Sequence, residues 1–131
     1  VNKKQRELKR MAVRDLVNKK HFYDRKGSVQ YHGDALKHYV AKSVIGYIFR
    51  KNDHEFATEL KFPNQKIADV MDLNTFIVYE LESNYSEKDK EEKYENFWEY
   101  EEVKDIIVLD PQKLSGNIKE MRKELEGKLV L

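Results

Sequence analysis

Between residues 56 and 82 the chain leaves helical spacing for alternation, and no other stretch restricts its fold as tightly. Phe56, Thr58, Leu60 and Phe62 alternate with Ala57, Glu59 and Lys61, the pattern of a half-buried strand. Pro63-Asn64-Gln65 then supplies a turn. Residues 66–73 (KIADVMDL) read as a second strand, Asn74 marks another turn, and residues 75–82 (TFIVYELE) read as a third. The β-branched and aromatic density of this third run suits a buried central strand.

The flanks read as helices. Residues 3–20 carry a thin stripe of Leu8, Met11, Ala12 and Leu16 among Lys and Arg, which predicts a helix docked by one edge. Residues 21–33, with Gly27, Ser28 and Gly33, read as a loop. A stronger helix is expected over 34–51, with Asp34 at its N-terminus and Leu36, Tyr39, Val40, Val44, Tyr47 and Ile48 as its apolar face. Ser86-Glu87-Lys88-Asp89 resembles a capping box and opens a charged helix reaching about Tyr100. Tyr94, Phe97, Trp98 and Tyr100 are available there for core packing or a dimer face. Residues 105–109 (DIIVL) read as a fully buried strand and 117–128 as a last helix, with 129–131 as a candidate terminal strand. The order α-α-β-β-β-α-β-α predicts an α/β fold with a mixed sheet of four or five strands flanked by helices. Its organisation is a basic helix and loop over 1–26 followed by an α/β domain over 27–131, in one compact unit.

Composition narrows the function classes. There is no cysteine among the 131 residues, which excludes disulfides and thiolate zinc sites. No apolar run approaches a membrane span, and the first residues lack a secretory leader's apolar core, so an intracellular, cytoplasmic protein without a membrane partner is expected. Lys and Arg total 25 against 24 Asp and Glu, so distribution matters more than net charge. Residues 1–26 are strongly basic, whereas 80–102 are dominated by Asp and Glu. The glycines are scattered, so no phosphate-cradling loop or small-molecule cofactor is indicated.

Three carboxylates stand out because acids are depleted in central strands. Asp69 is flanked by Ile67, Ala68, Val70 and Met71; Glu80 follows Phe76-Ile77-Val78-Tyr79; Glu82 ends the same strand. Burying a lone carboxylate costs roughly several kcal/mol unless something compensates, and a divalent cation is one compensator. If Leu73-Asn74 closes a two-residue hairpin, Asp69 faces Val78, and Asp69, Glu80 and Glu82 share one face. Asp69 and Glu80 are then diagonal neighbours, about 7–8 Å apart at Cα. A three-residue loop would reverse the parity and separate them. Such a pair suits Mg²⁺ or Mn²⁺, held by a few carboxylate oxygens and water.

Ile67-Ala68-Asp69-Val70, ten intervening residues and Tyr79-Glu80-Leu81-Glu82 resemble the motif of the PD-(D/E)XK, or restriction-endonuclease-like, nuclease superfamily. The likeness is to its small archaeal, plasmid and viral members, Holliday-junction-resolvase-like proteins included. Tyr31-His32-Gly33-Asp34-Ala35-Leu36-Lys37 and Ala57-Thr58-Glu59-Leu60 are also similar to segments before that motif, so the resemblance covers about residues 31–115. It implies a Mg²⁺- or Mn²⁺-dependent endodeoxyribonuclease. Asp69 and Glu80 are its implied metal ligands, the Leu81 carbonyl a further ligand, and Glu82 or Glu59 a third acid. Asp34 corresponds to an acid that many relatives carry on their first helix. The family's lysine falls at position 82, where this chain has Glu82; Lys66, Lys61 and Lys93 are the candidates to replace it.

DNA is the implied partner, and a homodimer is expected if both strands of a duplex are cut. Lys19, Lys20, Arg25 and Lys26, beside Phe22 and Tyr23, suit contact with phosphates. Lys66, His32 and His38 are further candidates for phosphate contact or proton transfer. Two other readings stay open: a catalytically inactive DNA-binding or structural protein on the same fold, and a protein-interaction module working through the acidic 80–102 segment.

Overall fold

The computed structural model describes residues 2–8 and 34–131. The expected loop at 21–33, most of the first helix, and with them Lys19, Lys20, Arg25, Lys26 and His32 lie outside the described residues.

Helix α1 (Asp34–Lys51) leads into strands β1 (Phe56–Lys61), β2 (Ile67–Asp72) and β3 (Ile77–Leu81). Helix α2 (Glu87–Trp98) crosses to strand β4 (Asp105–Leu109). A 3-10 turn (Pro111–Lys113) and helix α3 (Ile118–Glu126) follow. The sheet order is β1-β2-β3-β4, with β1–β2 and β2–β3 antiparallel and β3–β4 parallel. This is an α/β fold with an open, mixed, four-stranded sheet. The parallel β3–β4 step needs a crossover, and α2 supplies it.

Each sheet face is covered. Ala41, Val44, Ile45, Ile48 and Phe49 of α1, with Met121 and Leu125 of α3, pack on Val70, Ile77, Tyr79, Leu81 and Leu109. Phe97 of α2 and Leu8 pack with Ala57, Leu60, Phe62, Ala68, Met71, Val78 and Ile106 on the other face. Leu8 belongs to a helical segment over residues 3–8, whereas Met11, Ala12 and Leu16 of the expected stripe lie outside the described residues. The α2 capping box is formed: Ser86 Oγ accepts from the Asp89 N–H while the Asp89 carboxylate accepts from the Ser86 N–H.

Two expectations need correction. The apolar face of α1 is turned from the one read in the sequence: Leu36 and Tyr47 are 46% and 52% exposed, and the buried stripe centres on Ile45. Residues 129–131 form no strand, although Leu129 is buried and the Val130 N–H donates to Tyr79 Oη at 3.0 Å. The aromatics of the acidic segment pack largely as expected: Phe97 enters the core and Tyr94 and Tyr100 pack against it, while Trp98 stays 78% exposed.

The β2–β3 connection also differs, and it sets the site. The register pairs Val70 with Tyr79 and Met71 with Val78. Continued outward, it leaves a four-residue loop, Leu73 to Phe76, in place of a two-residue one. The Phe76 N–H donates to the Asp72 carbonyl at 2.9 Å, and Phe76 takes a left-handed φ of 60°. Asp72 is fully buried there: one carboxylate oxygen accepts from the Asn74 N–H at 2.8 Å, and the other lies 2.7 Å from His54 Nδ1. These bonds brace the loop internally, so it needs no glycine.

Candidate active site

Asp69 and Glu80 meet where β2 and β3 stop pairing. Extending the register by one step places them directly opposite each other, closer than the diagonal arrangement expected from a two-residue loop. A four-residue loop keeps the parity of a two-residue one, so both side chains still share a face.

The ladder does not continue through this pair; side chains take over its hydrogen bonds. The Asp69 N–H donates to Glu80 Oε2 at 3.0 Å, and the Leu81 N–H donates to Asp69 Oδ2 at 2.7 Å. Each strand thus binds the other's carboxylate through its backbone, which fixes both acids in position. The second oxygen of each carboxylate takes no part in these two bonds.

Glu80 is 2% exposed, whereas Asp69 is half-buried. Desolvation, then the neighbouring Asp69 charge, push the Glu80 carboxyl up to about 9. At neutral pH the pair therefore holds a proton that two solvated carboxylates would lack. A divalent cation would make the same compensation, and two hard oxygen donors on rigid strands suit Mg²⁺ or Mn²⁺ completed by water. No group of three or more His, Asp or Glu side chains gathers around one point among the described residues.

Lys93 reaches the pair from α2. Its ammonium lies 3.4 Å from Glu82 Oε2 and 4.0 Å from Glu80 Oε1. Desolvation pulls its pKa down, but Glu80, Glu82 and Asp69 outweigh that and the net shift is upward, so it stays charged. Glu82 thus holds the lysine, and the position where a family lysine is expected carries the partner of one. Lys93 is the only one of the three candidate lysines shown in an ion pair with these acids. Lys66 is exposed in the turn before β2, and Lys61 is exposed at the end of β1.

The other expected residues are distributed as follows. Leu81 is buried in β3, its N–H committed to Asp69. Glu59 lies across β1 from Asp69, and its carboxylate accepts from Lys42 of α1. Asp34 opens α1, and His38 lies half-buried on the same helix. Lys42, buried at 5% exposure, was missed in the sequence. A stripe centred on Ile45 would have exposed it, because positions 42, 45 and 49 share one helix face.

The chain matches no protein-family model, no curated protein and no solved structure.

Proposed function

We propose that this chain is a metal-dependent DNA endonuclease of the PD-(D/E)XK type, with Asp69 and Glu80 as the ligands of a Mg²⁺ or Mn²⁺ ion. The observation that carries the reading is the carboxylate pair on adjoining strands, pinned by reciprocal amide bonds and faced by one charged lysine. An α/β fold with a mixed four-stranded sheet is compatible with a restriction-endonuclease-like core; Asp69 and Glu80 follow the order of the motif's acids, while Glu82 stands where its lysine would fall and Lys93 is the candidate replacement.

In this reading Asp69 and Glu80 would hold the ion, with Glu80 in its carboxylate form. A divalent cation there would supply Lewis acidity towards a water nucleophile and the phosphodiester. Lys93 orients the attacking water or holds the scissile phosphate, as a compact cation on a flexible stem can. Glu82 keeps the Lys93 ammonium near the pair. The Leu81 carbonyl is a candidate further ligand, whereas the Glu59 carboxylate is taken up by Lys42 and is not assigned to the ion. DNA is the substrate, and a homodimer would allow both strands to be cut.

The test is incubation of plasmid, single-stranded and branched DNA with Mg²⁺ or Mn²⁺. Cleavage abolished in Asp69→Ala and in Glu80→Ala supports the reading. Metal-independent DNA binding without cleavage supports an inactive, DNA-binding protein on the same fold, a reading favoured by the acid at position 82. The acidic α2, with Trp98 78% exposed, favours a protein-interaction module instead if DNA affinity is absent at every salt concentration.

A further inference from the structure

The sheet contains a local reversal that regular strands do not have. Side chains on a strand alternate between faces, so residues two apart share one. In β2, however, Ala68 packs on the α2 side while Val70 packs on the α1 side. In β1, Ala57 and Leu60 both pack on the α2 side although three positions separate them. Both strands change parity in the same transverse row, the one occupied by Glu59 and Asp69. The β1–β2 register runs from Phe56↔Asp72 to Lys61↔Ile67 but passes over this one pair.

Glu59 absorbs the reversal. Its φ is 52°, a left-handed conformation that few non-glycine residues adopt and that is costly inside a strand. Something must hold it there. The Glu59 carboxylate accepts from the Lys42 ammonium, and Lys42 is 5% exposed on the middle of α1. A lysine is rarely buried so far unless it is paired. One step along the row, the β2–β3 ladder ends and the Asp69 N–H turns to the Glu80 carboxylate.

We propose that Lys42 and Glu59 are positioning residues for the acid pair: their ion pair locks edge strand β1 in the reversed conformation, and this sets the backbone of Asp69 against Glu80. Neither residue touches the substrate or the ion. The consequence for metal binding rests on the nuclease reading, but the effect on the Asp69 backbone does not.

The experiment compares the full-length wild type with Lys42→Met and with the double variant Lys42→Met/Glu59→Gly. Methionine keeps the buried stem and removes the charge. Glycine adopts positive φ freely, so it holds the reversal without an anchor. Two quantities are read: hydrogen exchange of the Asp69 and Leu81 amides in metal-free protein, and Mn²⁺ affinity. Lys42→Met is expected to speed exchange at these two amides about tenfold, leaving β4 and α3 amides unchanged, and to weaken Mn²⁺ binding by about 10–100-fold. The double variant is expected to return both to within about threefold of wild type, since the backbone position no longer depends on the charge.

Unchanged Asp69 and Leu81 amides in a folded Lys42→Met protein would overturn the proposal, whatever the melting temperature does. Recovery of the amides without recovery of Mn²⁺ affinity in the double variant would overturn it too, because Glu59 would then be a ligand. A wild type that binds no Mn²⁺ defeats the nuclease reading alone, and the amide comparison still decides this one.

Discussion

At the residue scale, the behaviour of the site follows from one carboxyl that burial keeps protonated. The Glu80 pKa is about 9 in the folded protein, against 4.5 for an ordinary glutamate. Between those values the folded state binds a proton that the unfolded state does not, so stability falls as pH rises through the window. Glu80→Gln keeps the shape and removes the titration. Urea unfolding at pH 5, 7 and 9 is expected to show the wild type losing stability towards pH 9 relative to Glu80→Gln, by on the order of a few kcal/mol. Parallel stability profiles for the two proteins would contradict this assignment. Lys93 makes a separate prediction. Lys93→Met removes the cation facing Glu80 and Glu82 but no proposed ligand. Cleavage is expected to drop about 10²–10³-fold with Mn²⁺ affinity changed only severalfold, read from single-turnover rates and a metal titration. Asp69 and Glu80 were legible in the sequence because charges inside apolar or aromatic runs are conspicuous, whereas Lys93, set in a charged helix, was a candidate only through the resemblance. Lys42 was not, since a lysine in a helix looks solvated until the buried stripe is known.

At the element scale, α2 matters because it carries Lys93 two turns beyond its N-terminus. Its capping box satisfies the Ser86 and Asp89 amides, and Ser86→Ala is expected to lower stability by about 1 kcal/mol in thermal or denaturant unfolding. The helix bounds and this cap were readable, because caps and apolar spacing are local signals. The β2–β3 loop was not. Its four residues contain no glycine, and its φ of 60° at Phe76 is sustained by the buried Asp72 carboxylate and the loop's own backbone bonds. A two-residue loop and a four-residue loop preserve the same parity, so the acid pair was foreseen on one face although its register was misjudged. The reversal at Glu59 was equally hidden, since positive φ there is held by a residue from another element rather than by a glycine. The α1 face was misread because Leu36 and Tyr47 are as apolar as the residues that do enter the core.

At the scale of the whole molecule, the two sheet faces do different work. The α1 and α3 face is an apolar core beside the ion pair of buried Lys42 with Glu59, while the α2 face combines a second core with the acid pair at its margin. No helix among the described residues is long and apolar enough to cross a membrane. The mixed sheet and its crossover were predictable from the order of periodicities; which oxygens converge depended on register and strand distortion, which no local pattern reveals. The account stands on Asp69 and Glu80 sharing one divalent ion. The most direct measurement is an anomalous difference map from crystals soaked in Mn²⁺. A single manganese peak shared by the two carboxylates, absent from Glu80→Gln crystals, is the expected result. A map in which Mn²⁺ lies elsewhere, or does not bind although the pair is intact, would contradict the account.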